Sequence, residues 1–210
     1  GNRVAIGALY NDDNGDHSGH VRIYEWNDPS WTQLGDDISG EASSDYSGRS
    51  VSLSSDGERV AIGAPGNNDG GNNSGHVRIY EWNDISRNWN QLGQDISGEA
   101  LGDESGYSVS LSSDGKRVAI GAIHNHDDDG NNSGHVRVYE WNDSSWNQLG
   151  QDISGEASDD RFGCSVSLSS VGNRVAIGAL YNDDNGDHSG HVRIYEWNDP
   201  SWTQLGDDIS

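Results

Sequence analysis

The chain has no methionine, one phenylalanine, three prolines and one cysteine among its 210 residues. The single cysteine, Cys164, excludes an intramolecular disulfide and a cysteine zinc cluster. No apolar run approaches the roughly 18 residues needed to span a bilayer as a helix, so membrane insertion is not expected. Positive charge is scarce: 12 Lys+Arg stand against 35 Asp+Glu, for a formal net charge of −23. Phosphate binding needs cations, so nucleic acid is not an expected partner, and an anionic membrane surface fails on the same ground. Only 31% of the residues are hydrophobic. Low hydrophobicity with high net charge also marks disordered chains. Here, however, the apolar residues return in strict register, which a disordered segment has no reason to keep. Divalent cations, polyhydroxyl surfaces and plain solubility are the roles the acidity leaves open.

What the chain does have is glycine (29 residues), eight tryptophans and eight tyrosines. That mixture suits many short strands joined by tight turns and packed through aromatic rings. Internal repetition then decides the architecture. RVAIGA occurs four times, starting at Arg3, Arg59, Arg117 and Arg174, and the glycine two residues before it recurs at spacings of 56, 58 and 57. GHVRIYEW follows at Gly19, Gly75 and Gly190, with GHVRVYEW at Gly134. A second tryptophan leads into QLG each time, and an SGEA segment leads into SVSLSS. Length differences fall only in the loop before GHVR and in the Trp82–Trp89 turn, where a repeated structural unit tolerates them.

Each unit of about 57 residues reads as four antiparallel strands: RVAIGA, GHVRIYEW, WTQLGDDI and SVSLSS. Alternation over four to eight residues is the mark of a half-buried strand. Asp56-Gly57 and Asp114-Gly115 are tight-hairpin signals joining SVSLS to RVAIG. No stretch shows a 3.6-residue apolar period. The expected fold is therefore all-β, a tandem array of four-stranded antiparallel blades in a ring or an open stack. The units are 1–56, 57–114, 115–171 and a partial 172–210. Residues 172–210 are identical to residues 1–39. This points to a higher-order period of 171 residues and to a window on a longer array, an engineered terminal duplication being the alternative.

The run FGCSVSLSSVGNRVAIGA from Phe162, the Gly-Ala-Pro at Gly63–Pro65 and the following G-x-V-R-I-Y strand resemble the FG-GAP repeat. That repeat builds the propeller blades of integrin α-subunits and of many microbial surface proteins. Phe-Gly appears once, with Ser47-Gly48 and Ser105-Gly106 in the other units. The family often carries a D-x-D-x-D-G calcium loop between the first two blade strands. Here that position holds only Ser-Ser-Asp-Gly or Ser-Ser-Val-Gly, too short to wrap a cation, so the family's calcium ligands are not carried over. The resemblance implies a blade fold and an extracellular or cell-surface role in adhesion or scaffolding.

Several residue sets remain as candidate sites. In the long loop before GHVR, Asp12, Asn14 and Asp16 alternate, as do Asp127 and Asp129, and oxygen ligands at that spacing can wrap calcium, the one cofactor the sequence suggests. Asn, Asp and Gly are equally what an exposed loop uses. His20, His76 and His135 recur at the start of the second strand. Strand neighbours within a unit offer them no second ligand, so a structural role is expected. The pairs Trp26/Trp31, Trp82/Trp89 and Trp141/Trp146 are read as packing between strands and blades, with sugar stacking as the alternative. Asn72, Asn131 and Asn142 head N-x-S sequons and are candidate glycosylation sites.

Catalysis finds no support in the sequence, because a catalytic constellation should break the repeat at one place. The chain is accordingly expected not to be an enzyme. It reads as an extracellular structural or adhesive protein that associates with itself or with further copies of the repeat, with glycans as further partners. The alternative is a ligand-binding propeller taking a carbohydrate or protein, assisted by calcium.

Overall fold

The computed structural model describes residues 1–125, 132–183 and 186–209, and these contain strands and turns but no helix. The first sheet holds β1 (Arg3–Ala8), β2 (His20–Asn27), β3 (Ser30–Gln33) and β4 (Ile38–Ser39). The second holds β5 (Ser50–Leu53), β6 (Arg59–Ala64), β7 (His76–Asn83), β8 (Asn88–Gln91) and β9 (Ile96–Ser97). The third repeats it as β10 (Ser108–Leu111), β11 (Arg117–Ala122), β12 (His135–Trp141), β13 (Trp146–Gln148) and β14 (Ile153–Ser154). The fourth holds β15 (Phe162–Leu168), β16 (Arg174–Ala179), β17 (His191–Asn198) and β18 (Ser201–Gln204). All are antiparallel meanders, so the chain is a run of blade-like sheets.

Each blade begins at an SVSL strand and turns through the Asp-Gly hairpin into RVAIGA. At the second blade Ser54 Oγ donates to Asp56 Oδ1 at 2.6 Å, and the same oxygen accepts the Glu58 amide at 3.0 Å. Gly57 takes the left-handed φ of 74° that the turn needs. Burial alone would raise the Asp56 pKa, but the hydrogen bonds from Ser54 and Glu58 together outweigh it and hold the carboxyl below its usual value. With its carboxylate committed to its own turn, this hairpin does not fit a calcium ion.

The third strand differs from expectation. WTQLGDDI does not run through as one strand: β3 stops at Gln33, and Ile38–Ser39 returns as the separate β4 against the start of β2, with Ile38 opposite Val21. Gly35, at φ 78°, breaks the extended chain. The kink buries Leu34, whose amide bonds to the Ile23 carbonyl at 2.8 Å.

The core lies between blades. Val21, Ile23, Leu34 and Ile38 of the first blade interlock with Val60, Ile62, Tyr80, Trp82 and Trp89 of the second. The next two interfaces use corresponding positions, the last adding Phe162 where the other units have Ser47 and Ser105. β6 is therefore buried on both faces rather than half-buried, with Val60 and Ile62 facing one neighbour and Ala61 the other. Small residues on the second face let the sheets approach. A Cβ on Gly63 would sit 2.0 Å from the Gly106 carbonyl oxygen of the following blade.

The serines of SVSL tie these inner strands together. Ser50 Oγ donates to the Gly106 carbonyl at 2.8 Å, and Ser52 Oγ accepts the Leu111 amide at 2.9 Å. Ser108 and Ser110 make the same bonds to Gly163 and Leu168. At the outer side Trp89 Nε1 donates to Leu34 O at 2.9 Å, Trp146 Nε1 to Leu92 O at 2.9 Å and Trp202 Nε1 to Leu149 O at 2.8 Å.

Candidate functional site

The long loops, the starts of the second strands and the SGEA segments meet at one rim of each blade. Gly75 closes the loop of the second blade, its amide bonding to Asn67 O at 3.0 Å, and holds φ at 73° against the Ser105 backbone. His76 follows as the first residue of β7, flanked by Ala64 of β6 and Ser97 of β9, and it is fully buried. Asp95, just before β9, accepts a hydrogen bond from Gln91 Nε2 through Oδ1 and turns Oδ2 toward His76 Nδ1, 3.8 Å away. Asp69 comes from the long loop. Glu41 comes from the preceding blade, where its Oε1 is paired with Arg78 Nη1 at 3.1 Å. One donor atom from each of Glu41, Asp69, His76 and Asp95 lies within 4.8 Å of all the others, close enough to hold a metal ion.

Burial, and then the Arg78 charge, holds the His76 imidazole below its ordinary pKa, against the pull of Asp95, Asp45 and Asp69. Burial also pushes the Glu41 carboxyl up, with Asp95, Asp69 and Asp45 adding to the shift and Arg78 opposing it. The same arrangement recurs as Glu99, His135, Asp152 and as Glu156, His191, Asp208, with Arg137 and Arg193 paired to the two glutamates. In the first blade the group is Asp13, His20 and Asp37. The sequence reading found the histidines but no second ligand for them. The structure corrects this, because the missing carboxylates arrive from other strands and from the neighbouring blade. The signal was present in the repeat itself: an aspartate precedes Ile-Ser in every unit (Asp37, Asp95, Asp152, Asp208), and a glutamate sits in every SGEA.

The other sequence candidates are placed as follows. Asp12, Asp16 and His17 come together on the exposed loop. Asp12 Oδ1 accepts the His17 amide at 2.8 Å, and Asn14 turns away to donate to Gly40 O at 2.6 Å. Asp127, Asp129 and Asn131 lie outside the described residues. The tryptophan pairs sit directly opposite one another across β2–β3, β7–β8 and β12–β13 with ring centroids 5.4–5.5 Å apart. Trp82, Trp89 and Trp146 are buried, whereas Trp26 and Trp31 are exposed. Asn72 and Asn142 are exposed, and Asn142 Oδ1 also accepts the Ser144 and Ser145 amides of its turn. Cys164 is half-buried, and burial pushes its thiol pKa up, which disfavours the thiolate.

One feature departs from the repeat. A pocket of about 200 Å³ between the loops of the first two blades is lined by Tyr10, Tyr46, Tyr107, Arg49 and Glu104 among others. The Arg49 guanidinium lies 4.2 Å from the centre of the Tyr107 ring, and Tyr10 meets Tyr46 edge to face. The equivalent positions vary between units: Gly66, His124 and Tyr181 stand for Tyr10, and Tyr107 and Cys164 for Arg49.

Comparison with known proteins places the fold. Residues 39–80, 97–139 and 154–195 match the family model described as the FG-GAP repeat. No curated protein matches the sequence. Among solved structures, the periplasmic gluconolactonase PpgL of Pseudomonas aeruginosa aligns with a TM-score of 0.54 at 17% identity, covering 98% of this chain and 55% of that one. A Bacteroides uniformis protein described as a candidate 6-phosphogluconolactonase aligns with a TM-score of 0.53 at 10% identity, covering 100% of this chain and 68% of that one. The chain thus spans little more than half of the first and two thirds of the second. At such identity the likeness shows the fold alone. It nonetheless corrects one expectation: the exclusion of enzymatic function does not stand, because both similar structures are of proteins described as lactonases. Among the described residues no helix is long and apolar enough to cross a membrane.

Proposed function

The chain belongs to the FG-GAP repeat family, and from that premise we propose that it serves outside the cell or at its surface as a structural or adhesive β-propeller scaffold, stacking onto further copies of the same repeat. One observation carries the reading. Residues 1–39 and 172–210 are identical in sequence, but each segment buries a different face. Ile6 and Trp31 are 52% and 50% exposed where Ile177 and Trp202 are 0% and 4%. Conversely Val21 and Ile38 are 0% and 6% exposed where Val192 and Ile209 are 36% and 56%. The two exposed faces are the two halves of the interface that joins each internal pair of blades, so a further copy of the unit has a ready-made seat on either side. The acidic surface and the exposed sequons at Asn72 and Asn142 suit a secreted, hydrated array carrying glycans.

Electron microscopy at a resolution that shows single blades tests this. Fibres or stacks with an axial repeat of three units are expected. Discrete discs that stay apart at high protein concentration would overturn the stacking.

A second reading, a propeller that binds a carbohydrate, is favoured by the aromatic pocket at Tyr10, Tyr46 and Tyr107. Tyrosine faces stack on sugar rings, and Arg49 and Glu104 supply polar contacts at the rim. Glycan-array binding that is lost in Tyr46→Ala supports it, and no retained glycan sinks it.

A further inference from the structure

We propose that Glu41, Asp69, His76 and Asp95 form a binding site for a divalent transition-metal ion, and that the ion cross-links the first blade to the second. The donor atoms of the four groups already lie within 4.8 Å of one another. Donors on a four-coordinate Zn²⁺ with bonds of about 2.0–2.2 Å are roughly 3.3–3.6 Å apart. The ion therefore needs the groups to close by about an ångström, which the exposed side chains of Glu41 and Asp69 can do without moving the strands.

The buried histidine is a second and independent observation. His76 is fully buried, and neither Nδ1 nor Nε2 has a hydrogen-bond partner among the described residues. A neutral imidazole carries one N–H and one lone pair, and buried groups of this kind nearly always find partners. Nδ1 faces Asp95 Oδ2 at 3.8 Å, too far for a hydrogen bond but on the side of the carboxylates. A buried imidazole nitrogen without a hydrogen-bond partner, among three carboxylates, has the chemistry of a metal ligand.

Charge and donor type then select the ion. Three carboxylates and the Arg78 guanidinium leave two negative charges, which a divalent cation neutralises. Arg78 engages Glu41 through Oε1, so the other carboxylate oxygen is left for the ion. Calcium and magnesium take oxygen donors, whereas one imidazole among carboxylates suits Zn²⁺ or a neighbouring first-row ion. Glu156, His191 and Asp208 repeat three of the four ligands at the last interface, and both ring nitrogens of His191 are likewise without a hydrogen-bond partner among the described residues.

Zn²⁺ titration by calorimetry, run beside thermal unfolding of the whole chain, tests the site. The expected result is saturable binding that raises the unfolding temperature and is not displaced by excess Ca²⁺. Glu41→Gln and Asp69→Asn alter exposed side chains and leave the fold intact. Each should weaken the tight site by at least about tenfold, or about 1.4 kcal/mol. Mn²⁺ should broaden the ring resonances of the buried His76, and of His191 at the repeated site. Absence of Zn²⁺ binding, equal competition by Ca²⁺, or affinity unchanged in both variants would overturn the proposal. In that last case, loss of binding on Asp16→Asn would place the ion on the exposed loop instead.

Discussion

At the scale of single residues, what decides a side chain's weight is which blade covers it. Trp89 is buried between two blades and its indole N–H reaches the Leu34 carbonyl, while Trp31 holds the equivalent place in the repeat and is half exposed. Trp89→Ala should therefore cost about 3–5 kcal/mol, the range for emptying a buried aromatic site. Trp31→Ala should stay within about 0.5 kcal/mol, as exposed substitutions do. Urea unfolding of the two variants in dilute solution, where the chain is expected to be unassociated, measures the contrast, and equal losses would mean that a further copy already covers Trp31 there. The same logic separates glycines. At Gly63 an added Cβ meets backbone, the Gly106 carbonyl oxygen at 2.0 Å, whereas at Gly178 it meets the movable Ser165 hydroxyl at 2.6 Å. Gly63→Ala should abolish cooperative unfolding or lower its midpoint far more than Gly178→Ala, as read by circular dichroism.

At the scale of elements, strand identity was legible because the alternation is strong, and hairpins were legible because Asp-Gly demands its turn. Three things were not. The alternating pattern of RVAIGA predicts one buried face, yet alanine and glycine on the other face are buried too, because the next blade packs directly upon them. The split of WTQLGDDI depended on Gly35 taking a left-handed φ, which an isolated glycine in a strand-like run permits but does not announce. The serines of SVSL looked like the polar face of a strand and serve instead as links between inner strands. Ser52→Ala and Ser110→Ala should each cost about 1 kcal/mol for a lost hydrogen bond, measured by urea midpoint.

The hairpins also set an acid limit. Asp56 and Asp114 have pKa values lowered in the fold, burial being outweighed by hydrogen bonds to the ionised form. A carboxyl with a depressed folded pKa adds stability above its unfolded pKa of about 3.9 and loses it as the pH falls through the folded value. Replacing both by asparagine should flatten the acid branch of the stability–pH curve, measured by thermal melts from neutral pH downward. An unchanged acid branch would show that these carboxylates do not govern it.

At the scale of the whole molecule, a repeat of near-identical units has a period but no phase. Cutting the sequence at Gly57, Gly115 and Gly172 is as natural as any other cut. Hydrogen bonding, however, groups each SVSL with the RVAIGA that follows it. A fragment spanning residues 41–155 contains two complete sheets, whereas one spanning 57–171 lacks the inner strand of its first. The first should melt cooperatively and the second should not, by calorimetry of both.

The candidate metal ligands follow the same division. His76 was visible because it recurs, but its carboxylate neighbours stand seven residues before it, 19 after it and, in Glu41, on another blade. Spacing along a strand cannot reveal donors that a meander and a blade interface bring together.

The sequence by itself determined the strands at RVAIGA, GHVRIYEW and SVSL and the period at which they repeat, because these follow from alternation, turn residues and spacing that every copy carries. The segments 1–39 and 172–210 show the limit of that information. Identical sequences form the same second and third strands, His20–Asn27 with Ser30–Gln33 and His191–Asn198 with Ser201–Gln204. Yet Ile6 and Trp31 are exposed where Ile177 and Trp202 are buried, and Val21 and Ile38 are buried where Val192 and Ile209 are exposed. Only the tertiary structure decided which face of each blade is core and which carboxylates surround each histidine, because burial and proximity are set by the neighbouring blade, and a segment's own residues do not say which neighbour it has.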